Sequence, residues 1–248
     1  MDIKGGGWRS FSLDEIESIS EKAKKTLKEM SKYDEHIHLE SSLSSLKAIS
    51  TIILGYWRDS DNPIDRDWFI LSKGHAAPAL YAVLAEVGLL DKKELFNINK
   101  VWSPIQNHPD LSIPFVGMTS GSLAQGLSFS LGISAWIKMK NGKGRVFTLM
   151  GDGEQDEGQV WEAITYAPVM RLGNLTVIVD LNRRQLDGSV HEIKPKDYMP
   201  LVWKAVGWNV IFCDGHNVRS IAHALENALA SSLPSVVFAE TSHVDGGC

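Results

Sequence analysis

The sequence predicts an α/β protein with a mostly parallel sheet and helices on both faces. Short apolar runs at 145–150, 175–180 and 235–240 alternate with longer stretches in which apolar residues recur at helical spacing. Strands that are separated by helices form right-handed βαβ units, and the strands of such units are parallel. With 248 residues, of which 44% are hydrophobic, the chain is long enough to bury such a sheet in one large domain.

The predicted elements alternate along the chain. Residues 1–11 contain three consecutive glycines and are predicted to be a flexible lead-in, whereas residues 12–248 are predicted to form a single domain because no break in composition marks a second. In order, we predict helices at 12–30 and 41–56, a short buried strand at 68–71, helices at 78–87 and 123–139, a strand at 145–150, a helix at 158–170, a strand at 175–180, a loop with Asp187 and Gly188, a helix at 197–206, a strand at 208–212, a helix at 217–231 and a strand at 235–240.

Charge and composition argue against several classes of function. The formal net charge is −5 with acidic and basic residues intermixed, so no basic footprint for nucleic acid is present. Two cysteines are too few for a disulfide framework, and neither a charged-then-apolar leader nor a long apolar run indicates export or a membrane. These features favour a cytoplasmic enzyme.

Two polar side chains follow consecutive apolar runs. Asp152 stands between two glycines after the run at 145–150, and Asn182 follows the next run. Because parallel strands end at the same edge of a sheet, we expect the two residues to lie close together there. A carboxylate, a carboxamide and a main-chain carbonyl are ligands that Mg2+ accepts, and the flanking glycines let the chain approach a phosphate. The pattern predicts a metal and diphosphate site; the simpler alternative is that Asp152 only caps a turn.

Five segments resemble motifs of the transketolase family. The run GDGEQDEGQVWEA at 151–163 is similar to the family's thiamine-diphosphate motif, which includes the later Asn182. The segments LSKGHA at 71–76, NHPD at 107–110 and TSGSLAQG at 119–126 resemble three further motifs, and HLESSL at 38–43 resembles another less closely. The resemblance extends over about residues 12–241, and it implies the thiamine-diphosphate-binding fold of the diphosphate-binding domain.

The resemblance implies thiamine diphosphate as the cofactor, together with Mg2+ or another divalent cation such as Ca2+ or Mn2+. Asp152, Asn182 and the backbone carbonyl of Arg184 would hold the metal. The residues that would contact the cofactor are His75, Gly121, Leu123, Gly151, Asp152, Gly153, Asp180 and Asn182.

The resemblance also implies roles for three histidines and one glutamate. His75 would lie near the diphosphate and the reacting centre, His38 and His108 would face the sugar, and these three are the candidate catalytic residues. Glu157 would lie at a subunit interface. The plain alternatives are that His38 is an ordinary polar residue before a helix and that Glu157 complements a helix N-terminus. Three histidines without a motif are interpreted as surface or capping residues: His191, His216 and His223.

The implied activity is transfer of a two-carbon ketol unit from a ketose, expected to be phosphorylated, to an aldose. Nothing in the sequence resembles the two further domains of full-length transketolases. We therefore predict the N-terminal subunit of a split enzyme, active with a separate C-terminal subunit in an α2β2 heterotetramer. Two alternatives stay open: a decarboxylase or acyloin-forming subunit that acts on a 2-oxo acid, and a non-catalytic phosphate-binding assembly module. A nicotinamide cofactor is disfavoured because no strand is followed by GxGxxG.

A few positions depart from the family pattern. Glu40 stands where relatives commonly have glycine, and Arg183 and Arg184 follow Asn182 where relatives have a small or apolar pair. His243 is a candidate substitute for another active-site histidine that the family places in a longer loop. These departures bear on sugar specificity more than on the cofactor.

Overall fold

The computed structural model describes residues 10–185 and 188–241. Its α-helices are α1 (Leu13–Met30), α2 (Leu39–Thr51), α3 (Ala77–Glu86), α4 (Gln125–Met139), α5 (Gly158–Val169), α6 (Val190–Ile193), α7 (Met199–Ala205) and α8 (Val218–Leu229). Its strands are β1 (Trp68–Leu71), β2 (Val146–Gly151), β3 (Leu175–Leu181), β4 (Arg184–Gln185), β5 (Gly188–Ser189), β6 (Asn209–Asp214) and β7 (Ser235–Glu240).

Five strands form one sheet in the order β1-β2-β3-β7-β6. Every neighbouring pair in this sheet is parallel, which confirms the predicted fold class. The chain passes from β3 to β6 at the edge of the sheet and then returns, so that β7 lies between them. The carboxyl ends of all five strands therefore lie along one edge.

Different helices cover the two faces of the sheet. In β2, Phe147 and Leu149 join a core cluster with residues of α1, α2, α3 and α8, whereas Val146 and Met150 join a second cluster with residues of α4, α5 and α7. Successive side chains of a strand point to opposite faces, so one strand contributes to both clusters. Burial on both faces explains why the central strands read as continuous apolar runs rather than alternating patterns.

The helix boundaries follow local backbone chemistry. Ser12 accepts a hydrogen bond from the backbone of Glu15, whose carboxylate in turn accepts one from the Ser12 backbone, a capping box that begins α1. The second helix starts earlier than predicted, at Leu39, and continues from α2 as a π-helix over Ile52–Tyr56. The helix predicted from residue 123 begins only at Gln125, because Ala124 has a left-handed backbone with a φ of 69°.

The short antiparallel pair of β4 and β5 was not predicted. Strands of two residues carry no hydrophobic period, so no sequence pattern marks them. Of the predicted loop, Gly188 begins β5 and Asp187 lies outside the described residues, as do residues 1–9 of the predicted lead-in. None of the helices in the described ranges combines the length and the hydrophobicity that a membrane span requires.

Candidate functional site at the carboxyl edge of the sheet

Asp152 lies at the carboxyl end of β2, against the segment that follows β3. Gly151 and Asp180 are register partners across these two strands, which brings the next residues of both strands together. The buried Asp152 carboxylate accepts one hydrogen bond from Gly153 N at 2.7 Å and another from Arg183 N at 2.8 Å. The turn after β2 and the turn after β3 thus meet at this carboxylate.

Asn182 and the carbonyl of Arg184 belong to the same turn. The Asn182 Oδ1 atom accepts a hydrogen bond from Arg184 N at 3.0 Å, an Asx turn, and the intervening Arg183 has a φ of 56°. A Cβ atom added at Gly153 would stand 3.9 Å from the Arg184 carbonyl oxygen. The turn that carries Asn182 and the Arg184 carbonyl therefore lies against the turn at residues 152–153.

The donor set suits a hard divalent cation. Burial, followed by the nearby Asp180, raises the pKa of Asp152 to about 6 against the opposing hydrogen bonds from Arg183 and Gly153. A buried carboxylate whose ionised form is disfavoured in this way is stabilised by a bound cation. No cluster of three or more His, Cys, Asp or Glu side chains in the described ranges could hold a metal ion, so the candidate is a mixed set of carboxylate, carboxamide and carbonyl oxygens.

A buried ion pair adjoins this turn. Lys73 and Asp180 are each 2% exposed and form a salt bridge. Asp180 also accepts hydrogen bonds from Ser44 Oγ at 2.6 Å and from Thr241 Oγ1, and Lys73 donates to the carbonyl of Ser41 at 3.2 Å. Burial alone would raise the pKa of Asp180, but Lys73 and the hydroxyl donors hold it below its ordinary value. The pair therefore ties the ends of β1 and β3 to α2.

Sequence reasoning named Asp180 but missed Lys73, Ser44 and Thr241. A usable signal was present: Lys73 closely follows the apolar strand at 68–71, where a lysine is fully buried only if it has a partner.

The first turns of α2 hold two more buried hydroxyl oxygens, those of Ser41 and Ser42, which have no hydrogen-bond partner among the described residues. These donors lie in the helix that Asp180 contacts and suit a polar ligand.

Glu154 organises a second buried network, and sequence reasoning assigned this residue no place in the site. Its Oε1 atom accepts hydrogen bonds from Ser72 Oγ and from Ala124 N at 2.7 Å, and its Oε2 atom accepts one from Gly151 N at 3.1 Å. Burial raises the pKa of this carboxyl. Glu154 thereby joins three of the sequence motifs, the segments at 71–76, 119–126 and 151–163, at one point.

The three candidate histidines lie together at the same edge. The rings of His38 and His75 contact edge to face, with centroids 5.4 Å apart. A Cβ atom at Gly74 would lie 3.0 Å from His108 Cδ2 and 2.8 Å from Ser120 Oγ. Because position 74 is glycine, His108 can pack closely against the residue that precedes His75. Three segments distant in sequence thus bring one imidazole each to a common site.

The histidines differ in their electrostatic setting. Burial, then the neighbouring charges of Lys73, His38 and His108, lowers the pKa of His75 to about 3. Partial burial and His38 lower the pKa of His108. His75 is therefore a neutral imidazole at neutral pH, able to donate a hydrogen bond from one ring nitrogen and accept one at the other.

The other predicted residues lie toward the surface. Gly121 is exposed next to the His108 ring, and Leu123 is 39% exposed. Glu157 is exposed at the N-cap of α5 and makes no side-chain capping hydrogen bond. Two of the departures from the family pattern meet, because Arg184 Nη1 lies 2.7 Å from Glu40 Oε2. His243 lies outside the described residues.

Known proteins are similar to this chain in sequence. A family model described as the thiamine diphosphate binding domain of transketolase matches residues 47–246. The 6-deoxy-6-sulfo-D-fructose transketolase subunit SqwG of Clostridium sp. (strain MSTE9) is 37% identical over 209 residues, which are 82% of this chain and 76% of that protein. An apulose-4-phosphate transketolase subunit of Phocaeicola vulgatus is 31% identical over 214 residues, with coverage of 85% and 76%.

Solved structures agree with this relationship. The crystal structure of transketolase from Campylobacter jejuni is similar with a TM-score of 0.73 and 26% sequence identity, and the match covers 90% of this chain. It covers only 38% of the Campylobacter chain, so the present chain spans little more than a third of that transketolase. Motifs, site geometry and comparisons agree: the chain belongs to the transketolase family and matches its thiamine diphosphate binding domain.

Proposed function

We propose that this chain is the N-terminal subunit of a two-subunit transketolase, which transfers a two-carbon ketol unit from a ketose to an aldose with thiamine diphosphate and Mg2+. One observation carries the proposal: the turn with the donors of Asp152, Asn182 and Arg184 lies at the same sheet edge as the three histidines. The Asp152 turn would hold the diphosphate, and the histidines at the same edge would be available to the substrate.

The residues of this chain would bind the metal and orient the cofactor and the sugar. Asp152, Asn182 and the Arg184 carbonyl would hold the metal, and when bound, thiamine diphosphate supplies the electron sink for cleavage of the ketose carbon–carbon bond. The neutral His75 would hold oxygen atoms of the substrate or cofactor through hydrogen bonds, donating from one ring nitrogen and accepting at the other. His38 and His108 would hold sugar hydroxyls. The Lys73–Asp180 pair would fix the strand ends that carry the donors.

Two observations support the requirement for a separate C-terminal subunit. The two related proteins are named as transketolase subunits, and this chain covers 76% of each of them. The outer surface of α4 and α5 also exposes Phe129 (42%), Trp136 (38%), Tyr166 (49%) and Val169 (76%), which we call the α4–α5 face. Glu157 begins the second of these helices. We propose that this face packs against another subunit in an α2β2 assembly.

Reconstitution with the partner chain tests the function. The isolated chain should transfer no ketol unit, and activity with xylulose 5-phosphate and an aldose acceptor should appear when the C-terminal subunit is added with thiamine diphosphate and Mg2+. Pyruvate is the matched donor for the 2-oxo acid alternative. Turnover of pyruvate without ketol transfer would contradict the proposal, and full activity of the isolated chain would contradict the partner requirement.

Asp152→Ala tests the metal site. Loss of the anionic donor should weaken Mg2+-dependent binding of thiamine diphosphate by at least about 100-fold. Loss of a residue that only supports a metal ligand already costs about 10- to 100-fold in metal affinity, and loss of the ligand itself should cost no less. Calorimetric titration of the complex measures this. Asp214→Ala removes a carboxylate from the end of the edge strand β6 in the same sheet and should leave the affinity unchanged. If the two substitutions weaken cofactor binding equally, Asp152 is not a metal ligand.

A further inference from the structure

A closed ring of hydrogen bonds joins the two loops that carry His38 and His108. Asp34 Oδ1 accepts a hydrogen bond from His36 N at 2.8 Å, and its Oδ2 accepts one from Asn99 Nδ2 at 2.7 Å. Asn99 Oδ1 accepts from Asn107 N at 2.9 Å, and Asn107 Nδ2 donates to the carbonyl of His36 at 3.0 Å. The ring thus returns to the residue at which it began.

Asn99 is the hub of this ring. It lies between the two loops, and its carboxamide donates to one of them and accepts from the other. Its backbone has a φ of 63°, a left-handed conformation that asparagine tolerates better than most residues. The Asn99 N–H also donates to the carbonyl of Ile105 at 3.0 Å, which closes its own loop. Conformation and side chain together select asparagine here.

The core fixes both sides of the ring. Ile37, between His36 and His38, is 6% exposed and belongs to the core cluster under α1, α2 and α3. On the other side, the hydroxyl of the fully buried Tyr81 donates to the carbonyl of Gln106 at 2.9 Å. The ring therefore connects two anchored loops rather than two free ones, and it sets their relative position.

Its placement points to the histidines. His36 lies two residues before His38, and Asn107 directly precedes His108, whereas the hydrogen bonds of the ring involve neither the Asp152 turn nor the Lys73–Asp180 pair. We propose that Asp34, Asn99 and Asn107 are positioning residues that hold His38 and His108 in a fixed relation for binding of the sugar. This inference rests on the proposed function, because it takes these histidines as the groups that face the substrate.

A polarity swap tests the proposal. Asn99→Asp places a carboxylate against Asp34 and removes the donor of their hydrogen bond. The double variant Asp34→Asn with Asn99→Asp restores it, because the new carboxamide at position 34 would donate to the new carboxylate at position 99. That carboxylate still accepts from Asn107 N, and the carboxamide oxygen at position 34 still accepts from His36 N. Asn97→Asp is the matched control, since this residue lies in the same segment and its Nδ2 donates to Glu94, at 3.4 Å, rather than to the ring.

The reconstituted enzyme should show a selective defect. Asn99→Asp should lower kcat/KM for the sugar by about 10- to 100-fold, mostly through KM, because displacement of substrate-positioning groups by about 1 Å has effects of this size. The affinity for thiamine diphosphate should change by less than about twofold, because the hydrogen bonds that hold the Asp152 turn come from Gly153 and Arg183, outside the ring. The double variant should recover wild-type kinetics, and Asn97→Asp should never lose them.

Wild-type kinetics in Asn99→Asp would overturn the proposal, as would an equal defect in Asn97→Asp or a folded double variant without recovery. If a carboxylate at position 99 prevents folding in both variants, Asn99→Gly decides the matter: glycine keeps the left-handed backbone and removes only the side-chain bonds. Asn99→Gly should lower kcat/KM for the sugar as Asn99→Asp does, and normal kinetics would refute the positioning role of the ring.

A second readout separates this inference from the proposed function. If the wild-type complex binds the cofactor but transfers no ketol unit, the function is wrong and kinetics no longer report on the ring. The ring signals of 13C-labelled His38 and His108 in the full chain should still shift in Asn99→Asp and return in the double variant. Unshifted signals would overturn the positioning role whatever reaction the enzyme performs.

Discussion

His75 combines burial with a crowded cationic neighbourhood. Its pKa falls to about 3, chiefly because the ring is desolvated and then because Lys73, His38 and His108 lie nearby. An unfolded chain would titrate this group near its ordinary pKa of 6.5. Between these two values the unfolded state binds a proton that the native state rejects. The contribution of His75 to the free energy of unfolding is therefore fully present above about pH 6.5, and it is lost as the pH falls toward 3.

His75→Gln should flatten the acid side of the stability curve. The wild-type free energy of unfolding should fall by up to about 1.4 kcal/mol more per pH unit below pH 6.5 than that of the variant, which has no proton to gain at this position. Urea denaturation of the full chain at several pH values from about 7.5 to about 4.5 measures the slopes. His223→Gln, on the exposed side of α8, should retain the wild-type slope. Parallel curves for wild type and His75→Gln would contradict this electrostatic account.

The sequence could predict residues whose role is local but not those whose role depends on strand order. Asp152 and its glycines form a turn that is readable from the sequence. The partner of Asp180 was not readable, because Lys73 lies 107 positions away and follows a strand two places removed in the sheet. Glu154 is a similar case: the sequence places it near the start of a helix and gives no sign of its contacts with Ser72 and Ala124.

At the scale of elements, the start of α4 is held close to the end of β1. A Cβ atom at Gly126 would lie 2.5 Å from both Cβ and Oγ of Ser72. Ser72 in turn donates to Glu154, which also accepts from the backbone just before α4. The close approach of helix and strand therefore keeps the Glu154 network intact. Gly132, later in the same helix, has nothing within 4 Å of its Cβ position.

Two glycine substitutions in α4 should act in opposite directions. Gly126→Ala should destabilise the chain by a net of about 1–2 kcal/mol, the usual scale of overpacking, because Ser72 and the strand behind it must move. Gly132→Ala should stabilise it by up to about 1 kcal/mol through helix propensity. Urea midpoints followed by circular dichroism compare the two variants with wild type. A stabilising Gly126→Ala would show that the helix start is free to shift.

Element types were predictable where a period or a buried run was long enough. The helices at 158–170 and 217–231 and the strands at 175–180 and 235–240 are found within a few residues of those bounds. The order of the strands was not predictable, since the insertion of β7 between β3 and β6 depends on which helix faces pack, not on a local pattern. The ring that joins residues 34–36 with 99–107 lies in irregular segments and left no periodic signal either.

At the scale of the whole molecule, α4 and α5, which carry the α4–α5 face, both begin at the site edge. The loop with Gly121 and Leu123 leads from the histidine cluster directly into α4, and Glu157 leads from the Asp152 turn into α5. A subunit that covers the starts of both helices would therefore also approach the site. An exposed group of large apolar side chains on adjacent helices is typical of an interface rather than of a free surface.

Charged substitutions on this face should uncouple assembly from folding. Trp136→Glu with Val169→Glu places two unpaired charges in the proposed interface, which should weaken association by at least about tenfold, while the exposed positions leave the core of the chain intact. Sedimentation velocity of the chain mixed with its C-terminal subunit should show smaller species than wild type, with unchanged circular dichroism. Leu233→Glu, a 43% exposed residue in the turn between α8 and β7, is the matched control and should assemble normally. Normal assembly of the α4–α5 double variant would place the subunit contact elsewhere on the chain and leave the exposed aromatic residues without this role.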